Sequence, residues 1–384
     1  MAKKRKILFI TERRADYSRI KPIMKAVQES KKLQLQLVAT GMHLLKYFGE
    51  TKKVIRKDGF TVDATIPIFN EKDGNDGASM VKAMGRALVG MADVLKKLKP
   101  DIIFAGFDLG ANFAAAIAGM HMNIHVSHIQ GGEVSGTVDE VIRHAITKFS
   151  HIHFAATEKS KKRIIRLGED PKYVFNVGSP SLDTILKTPQ VSKKIIFKKY
   201  SLDPKKKTII LIQHPVTTEV NDVEKQISIT IKAIKKVIKK HNMQALAIYS
   251  NNDAGGKKIV KRLCSSGIRV LPHIIFEDFL KILKNSDVLV GNSSSGIHEA
   301  PSFGLPTVNI GTRQQLRERG VNVIDTDHDV QNIIKCIEKS LFDKKFITKV
   351  KMGKNPYYNG NTSKKVVKIL ENLKFPSIQK VITY

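Results

Sequence analysis

One stretch, DVLVGNSSSGIHEAPSFGLPTVNIG at residues 287–311, constrains this chain more than any other. Residues 287–290 are a short apolar run with the branching of a strand. Gly291-Asn292-Ser293-Ser294-Ser295-Gly296 follows as a small-residue turn, residues 297–303 can form one or two helical turns, and residues 305–310 return as an apolar strand. Hydroxyls and bare backbone amides therefore sit where a strand gives way to a helix N-terminus, a place suited to anions. Ser293, Ser294, Ser295 and Gly296 are the candidate phosphate contacts, although an ordinary Ser/Gly loop capping a helix has the same composition. Glu299, one turn into the helix, favours a ligand, because a carboxylate near a diphosphate suits a ribose diol.

The rest of the chain repeats this unit. Residues 6–11 read as a strand, the turn Glu12-Arg13-Arg14-Ala15-Asp16-Tyr17 follows, and residues 18–28 read as a helix. Arg13 and Arg14 at the carboxyl end of a first strand suit an anionic ligand, or pair with Asp16 at the surface. Strands are expected at 33–39, 101–105, 124–129, 152–156 and 173–177, with helices at 81–98, 113–120, 138–149 and 158–167 between them. The apolar run at 124–129 ends in Gln130-Gly131-Gly132-Glu133, and the helix after it bears Asp139, Glu140, Arg143 and His144. Asp139 with Arg143 and Glu140 with His144 are i,i+4 pairs: helix salt bridges on a plain reading, yet just past a strand end, where sites in open α/β sheets form. Residues 188–207 are polar and lysine-rich and read as a linker. A second series starts at residue 208 with the strand that ends at His214-Pro215. Two such series imply an α/β protein of two doubly wound Rossmann-like domains facing a cleft.

The net charge of +31 admits nucleic acid, an anionic membrane surface or an anionic small substrate as partner. The lysines are spread along helix faces and loops, with no aromatic interleaving, so we expect no nucleic acid and no membrane, and solubility and small anions as what the charge serves. No apolar run approaches a membrane-spanning length. Cys264 and Cys336, far apart in apolar helical contexts, suggest buried, reduced thiols and a cytoplasmic protein.

HIQGGEVSGTVDEVIRHAITKFSH, QHPVTTE, NNDAGG, GNSSSGIHEAPSFGLPTVNIGTRQQLR and NPYYNGNTSKK together resemble the UDP-N-acetylglucosamine 2-epimerase family, in its hydrolysing subgroup, nearly end to end and in the right order. That subgroup makes N-acetylmannosamine for sialic acid, or a 2,4-diacetamido analogue for legionaminic-type acids. The resemblance implies the glycosyltransferase B-type architecture: residues 1–187 as an N-terminal Rossmann-like domain on the sugar and acid/base side, 188–362 as a C-terminal Rossmann-like domain on the nucleotide diphosphate side, and 363–384 as a helix and tail crossing back to the first. It implies a UDP-linked 2-acetamido sugar as substrate, a homodimer or homotetramer, and neither metal nor cofactor. The chemistry implied is elimination of the diphosphate from sugar carbon 1 as a base removes the proton at carbon 2, then hydration of the glycal with inversion. Asp108 matches the family's aspartate after the strand at 101–105, Asp139 and Glu140 its acidic pair before Arg-His, His214 the histidine of its His-Pro block, Arg14 the arginine of the first turn, Ser294, Ser295 and Glu299 the phosphate and ribose contacts, and Arg313 a basic residue near them.

Three departures mark the sugar side. Glu12-Arg13 replaces Gly-Thr in the first turn and puts negative charge near the expected ligand; Leu109-Gly110-Ala111 loses an arginine and a glutamate; and Gln130 replaces a carboxylate often assigned to catalysis. Gln130 can hydrogen-bond but cannot be a carboxylate base. The remaining acids at strand ends are Asp108, Glu133, Asp139 and Glu140, of which Asp108, paired with His214 from the second domain, is the expected acid/base group, with Asp139 or Glu140 orienting the sugar and Arg143. Glu133 takes a direct role or caps its Gly-rich turn. A glycosyltransferase of the same fold and a non-catalytic nucleotide-sugar binder are the alternatives.

Overall fold

The first strand shows what the apolar runs do. Ile7 and Phe9 point into one hydrophobic core and Leu8 and Ile10 into another, so the strand is buried on both faces. That is the environment of a parallel strand covered by helices on each side. The computed structural model describes residues 3–46, 49–70, 73–74, 76–189 and 191–383, and those residues divide into two compact units.

The first unit comprises Met1–Glu133, Val138–Asp183 and Tyr357–Tyr384. Its elements run β1 (Arg5–Thr11), α1 (Arg14–Glu29), β2 (Leu33–Thr40), α2 (Lys52–Lys57), β3 (Ala64–Ile66), α3 (Gly77–Leu98), β4 (Ile102–Gly106), α4 (Gly110–His121), β5 (His125–Ile129), α5 (Asp139–Phe149), β6 (Ile152–Ala155), α6 (Glu158–Arg166), β7 (Val174–Asn176) and the start of α7 (Ser181–Lys187). The parallel sheet has the order β3-β2-β1-β4-β5-β6-β7. The chain thus winds outward in one direction from β1 and in the other from β4, the doubly wound pattern whose switch point lies between these two strands. One core layer joins Ile20, Ile23, Met24 and Val27 of α1 to Phe104 and Phe154; the other joins Ala83, Ala87 and Met91 of α3 to the alanines of α4. Phe9 stacks on Phe104 with ring centroids 4.6 Å apart.

The second unit comprises Val134–Thr137 and Thr184–Pro356. It contains α8 (Lys193–Lys199), β8 (Thr208–Ile212), α9 (Val223–His241), β9 (Gln244–Ile248), α10 (Gly256–Cys264), β10 (Arg269–Leu271), α11 (Phe276–Asn285), β11 (Val288–Gly291), α12 (Ser295–His298), β12 (Thr307–Ile310), β13 (Val323–Thr326), α13 (Val330–Phe342) and α14 (Lys344–Met352). Its parallel sheet has the order β10-β9-β8-β11-β12-β13, with the switch point between β8 and β11. The stretch expected as a polar linker holds α8, because Ile196 and Phe197 are buried against Phe279 and Leu283 of α11 while its lysines face outward. Helix α1 starts at Arg14, inside the turn expected at residues 12–17.

The cysteines also differ from expectation. Cys264 is exposed and Cys336 partly so. Cys264 ends α10 on the side away from Ile259 and Leu263, which carry that helix's burial. Among the described residues no helix is long and apolar enough to cross a membrane.

After Pro356 the chain rejoins the first unit. Asp183 caps α15 (Thr362–Asn372), accepting from the Thr362 and Ser363 amides at 2.9 and 2.6 Å, and Val366 and Leu370 complete the core against α1. The tail then lies along the far strands. His125 and His151 donate to the carbonyls of Pro376 and Ile378 at 3.0 and 3.1 Å, and Lys380 reaches Glu169 at 2.6 Å. Although burial opposes its charge, His153, Lys380 and Lys148 around Glu169 hold its carboxyl down at about 2.

Several imidazoles of this unit are kept neutral. Burial lowers His43 and His151 to about 4 and His128 to about 3, from an ordinary 6.5. Groups whose folded pKa is depressed take up protons more readily once unfolded, so the stability they contribute is present above 6.5 and is lost as pH falls toward the folded values. Urea midpoints are expected to drop steadily between pH 6.5 and pH 4; a midpoint flat across that window contradicts the neutral burial of these rings.

Candidate functional site

Both switch points carry polar residues, and each is built within its own unit. In the first unit the loop after β1 turns sharply so that Asp16 accepts from the backbone amides of Glu12 and Arg13 at 2.9 and 2.7 Å. Burial, helped by the nearby Glu12, raises the Asp16 carboxyl to about 7 against those bonds. Arg14 is the first residue of α1, and burial lowers its guanidinium to about 10.

Glu12 has a partner within its own unit. Its side chain turns to the head of α4, where Oε2 accepts from the Ala111 amide at 3.0 Å. A carboxylate there satisfies an orphan amide and meets the positive end of the helix dipole. The bend that allows this needs Gly41, at φ 57: a Cβ there would come within 2.5 Å of the Glu12 side chain.

Arg143 organises the acids. It is buried at 1 % exposure on α5, where burial opposes its charge but Asp108, Glu133 and Asp139 outweigh that and hold the guanidinium above its ordinary value. Nη2 forms an ion pair with Asp108, and Nη1 donates to Glu140 Oε2 and to the Glu133 carbonyl, each at 3.2 Å. Glu140 Oε1 meets His144 Nε2 at 2.9 Å. Gln130 donates from Nε2 to Glu133 Oε1 at 2.7 Å, and both side chains are 3 % exposed. Two residues at the ends of β4 and β5, Phe107 and Gln130, have φ of 65° and 60°. Side-chain-bearing residues seldom take such values, and they cluster at functional sites. His128 fixes the first of these turns by donating from Nε2 to the Phe107 carbonyl at 2.7 Å. The structure thus brings together Asp108, Gln130, Glu133, Glu140, Arg143 and His144, with Asp139 opening the same helix.

In the second unit Asn292 is the hub. Gly291 before it has φ 126, and a Cβ there would lie 2.0 Å from the Ile212 carbonyl of the neighbouring strand, so only glycine lets β11 leave the sheet at this point. Asn292 accepts from the His214 amide at 2.7 Å and donates to the His214 carbonyl at 2.9 Å, which locks the two switch-point loops together. The Asn292 carbonyl accepts from Arg313 and Gln314 at 3.2 and 2.9 Å, and Gln314 Oε1 accepts from Arg317 at 2.9 Å. The His214 ring is set by the third loop: the Asn251 amide donates to Nδ1 at 3.1 Å. An acceptor Nδ1 in a neutral ring leaves the hydrogen on Nε2, so His214 offers a donor there.

Ser293, Ser294 and Ser295 are partly exposed, Gly296 is buried, and Glu299 is fully buried at 0 % exposure. The helix behind them, α12, is a single turn, and the amides of Gly296 and Ile297 already donate to Ser293 and Ser294 carbonyls at 3.1 and 3.0 Å. A one-turn helix whose first amides are already bonded adds little dipole at this turn, so what the turn can offer an anion is its hydroxyls and Arg313. Sequence reasoning missed Asn292, Gln314, Arg317 and Asn251; Asn292 was signalled by its place directly after a strand-ending glycine. Among the described residues no group of three or more His, Cys, Asp or Glu side chains is placed to hold a metal ion.

Removing the Glu12 carboxylate uncaps α4. Glu12→Ala is expected to cost about 1 kcal/mol of stability, the usual worth of such a cap, read as a shifted urea midpoint with an unchanged slope. A midpoint equal to that of the parent chain contradicts the capping role.

Residues 25–371 match the family described as UDP-N-acetylglucosamine 2-epimerase. The chain is 39 % identical over 373 residues, 96 % of each protein, to the UDP-N,N'-diacetylbacillosamine 2-epimerase (hydrolyzing) of Legionella pneumophila. It is 34 % identical over 339 residues, 88 % of this chain and 87 % of the relative, to the UDP-N-acetylglucosamine 2-epimerase of Neisseria meningitidis. Its fold matches a crystal structure of UDP-GlcNAc 2-epimerase from Neisseria meningitidis bound to UDP-GlcNAc, with a TM-score of 0.81 at 21 % identity, covering 95 % of this chain and 99 % of that one.

Proposed function

The chain belongs to the UDP-N-acetylglucosamine 2-epimerase family, and from that premise we propose that it is a hydrolysing 2-epimerase, releasing UDP and the free 2-epimer from a UDP-linked 2-acetamido sugar. The observation that carries this reading is the cluster of acids around the buried Arg143 at the carboxyl end of one sheet, together with the His214–Asn292 loops and their serines at the carboxyl end of the other. The first set suits proton transfer at a carbon; the second suits a diphosphate. The names of the relatives support UDP-N,N'-diacetylbacillosamine and UDP-N-acetylglucosamine as the sugars to test first; nonulosonic acid biosynthesis in the cytoplasm is the setting proposed for the reaction.

The first unit supplies the acid/base groups, Asp108, Glu133, Asp139 and Glu140. A base takes the proton from carbon 2, the electron pair forms the bond between carbons 1 and 2, and the bond from carbon 1 to the diphosphate oxygen breaks with its pair leaving on UDP. Water then adds to the glycal, its hydroxyl at carbon 1 and a proton at carbon 2 from the opposite face. Carbon 2 is thereby inverted. The second unit holds UDP, with Ser293–Ser295 and Arg313 on the diphosphate and Glu299 on the ribose. His214, with its hydrogen on Nε2, acts as a hydrogen-bond donor to charge building on the leaving diphosphate.

Incubation with a panel of UDP- and GDP-linked 2-acetamido sugars, followed by NMR of the products in deuterated water, tests the whole reading. One solvent deuteron at carbon 2 of a free sugar is the expected product. A chain that binds UDP but leaves each sugar intact is a nucleotide-sugar binder, and a sugar transferred intact to an acceptor marks a glycosyltransferase.

Three substitutions probe the roles. Asp108→Asn and His214→Ala should each slow UDP release by about 10²–10⁴-fold, and near-normal turnover in both removes them from the reaction. Glu299→Gln, which keeps the buried volume, should weaken UDP binding by at least about 1 kcal/mol by calorimetry; unchanged affinity takes Glu299 out of the ribose site.

A further inference from the structure

We propose that the outer face of α3 is a surface for a second copy of this chain, the two helices crossing antiparallel at Gly85.

Helix α3 is apolar on two sides. Ala83, Ala87, Met91, Val94 and Leu95 are buried in the core of the first unit. On the other side Ala78, Val81, Gly85, Leu88, Val89 and Ala92 face solvent, and their spacings of three and four residues put them on one stripe. Val81 and Val89 are 70 and 71 % exposed, and Leu88 37 %. Apolar side chains scattered singly over a surface are ordinary. A row of them on a helix whose opposite face is already packed marks an interaction site.

Gly85 shows that the face is made for close contact. Glycine inside a helix is less stable than alanine, so its presence there calls for a reason. Gly90 has one within the chain, since a Cβ at that position would come within 2.6 Å of the Ile66 side chain. A Cβ on Gly85 would meet none of the described residues within 4 Å. What the missing Cβ provides at residue 85 is room for a backbone arriving from outside.

The pattern of the stripe identifies what arrives. Val81 and Val89 lie four residues on either side of Gly85, and Ala78 and Ala92 lie seven on either side, so the stripe is the same from both ends. A surface with that property is complementary to itself under a two-fold rotation, as the interface of a symmetric dimer must be. With the axis at Gly85, Val81 of each copy faces Val89 of the other, and Ala78 faces Ala92. The charges agree with the antiparallel direction. Exposed Lys96 and Lys97 in the last turn then lie toward the end of the other helix that begins at the exposed Asp76, whereas a parallel pair would set lysines against lysines. The helix dipoles also oppose one another in this arrangement. A single crossing of two helices buries less than the roughly 800 Å² per partner of a standard interface, so the pair should form as a concentration-dependent equilibrium. This surface is independent of the reaction proposed above.

The test is sedimentation of the full chain over about 1 to 100 μM, for wild type and Val89→Glu, with far-UV circular dichroism as the check on folding. Wild type should shift from monomer to dimer with concentration, and Val89→Glu should weaken association by at least about tenfold, the cost of burying an unpaired carboxylate in an apolar contact. The direction of crossing is read by disulfide formation under mild oxidation in a Cys264→Ser, Cys336→Ser background. Chains carrying Val81→Cys and chains carrying Val89→Cys should link when mixed and not when either is alone. A wild-type chain that stays monomeric across the range assigns the face to a different protein and overturns the proposal. Association that Val89→Glu leaves unchanged overturns it too, as does either cysteine variant linking alone as readily as in the mixture. Should Val89→Glu fail to fold, the cysteine pair decides, and the absence of a mixed disulfide overturns the proposal. None of these outcomes alters the epimerase reading.

Discussion

The buried guanidinium of Arg143 is the interaction on which the first unit's chemistry depends. A cation at 1 % exposure is tolerable only when its charge is met, and here it is met by Asp108 from the end of β4, Glu140 one turn earlier on α5, and the Glu133 carbonyl from the turn after β5. Three separate chain segments are thus tied to one side chain. Removing it would leave several carboxylates crowded together without a counter-charge, so the loops at this end of the sheet hold their shape only while it is present. Asn292 does for the second unit what Arg143 does for the first, with neutral hydrogen bonds in place of charge: it grips the backbone of His214 from both sides and offers its own carbonyl to Arg313 and Gln314. The contrast suits the ligands proposed. A ring of anions around a buried cation can pass protons; a scaffold without carboxylates keeps its arginines beside the turn where a phosphate is proposed.

Much of this was legible because parallel strands buried on both faces must be apolar runs, and helices between them must show an apolar stripe. That is why residues 6–11, 33–39 and 101–105 were read as strands within one residue of their observed limits. Elements that escaped are those with little of either signal. Strand β3 has three residues, β13 carries an aspartate and is only partly buried, and α8 hides two buried side chains among lysines. Cys264 was misjudged because helical context does not say which face a residue takes at the last turn.

At the site, spacing revealed Glu140 with His144, four residues apart on one helix. It could not reveal Glu12 with Ala111, which meet only because β1 and β4 are neighbours in the sheet. The two oddities in the sequence, an acid at residue 12 and the bare Gly110-Ala111 at the head of α4, answer one another in space. The tie of Gln130 to Glu133 likewise depends on a left-handed backbone that no composition announces.

The return of the chain after Pro356 bears on how the protein comes to be made. The second unit is drawn almost wholly from one continuous run, Thr184–Pro356, whereas the first is assembled from both ends of the described chain. During synthesis the first unit's sheet emerges ahead of the second unit, yet the face of α1 that receives Val366 and Leu370 stays uncovered until Thr184–Pro356 has been translated. Domains on a ribosome ordinarily fold in the order in which they appear. Here the later unit can reach its final state before the earlier one, and the nascent first unit must survive for a time with part of its core open to solvent.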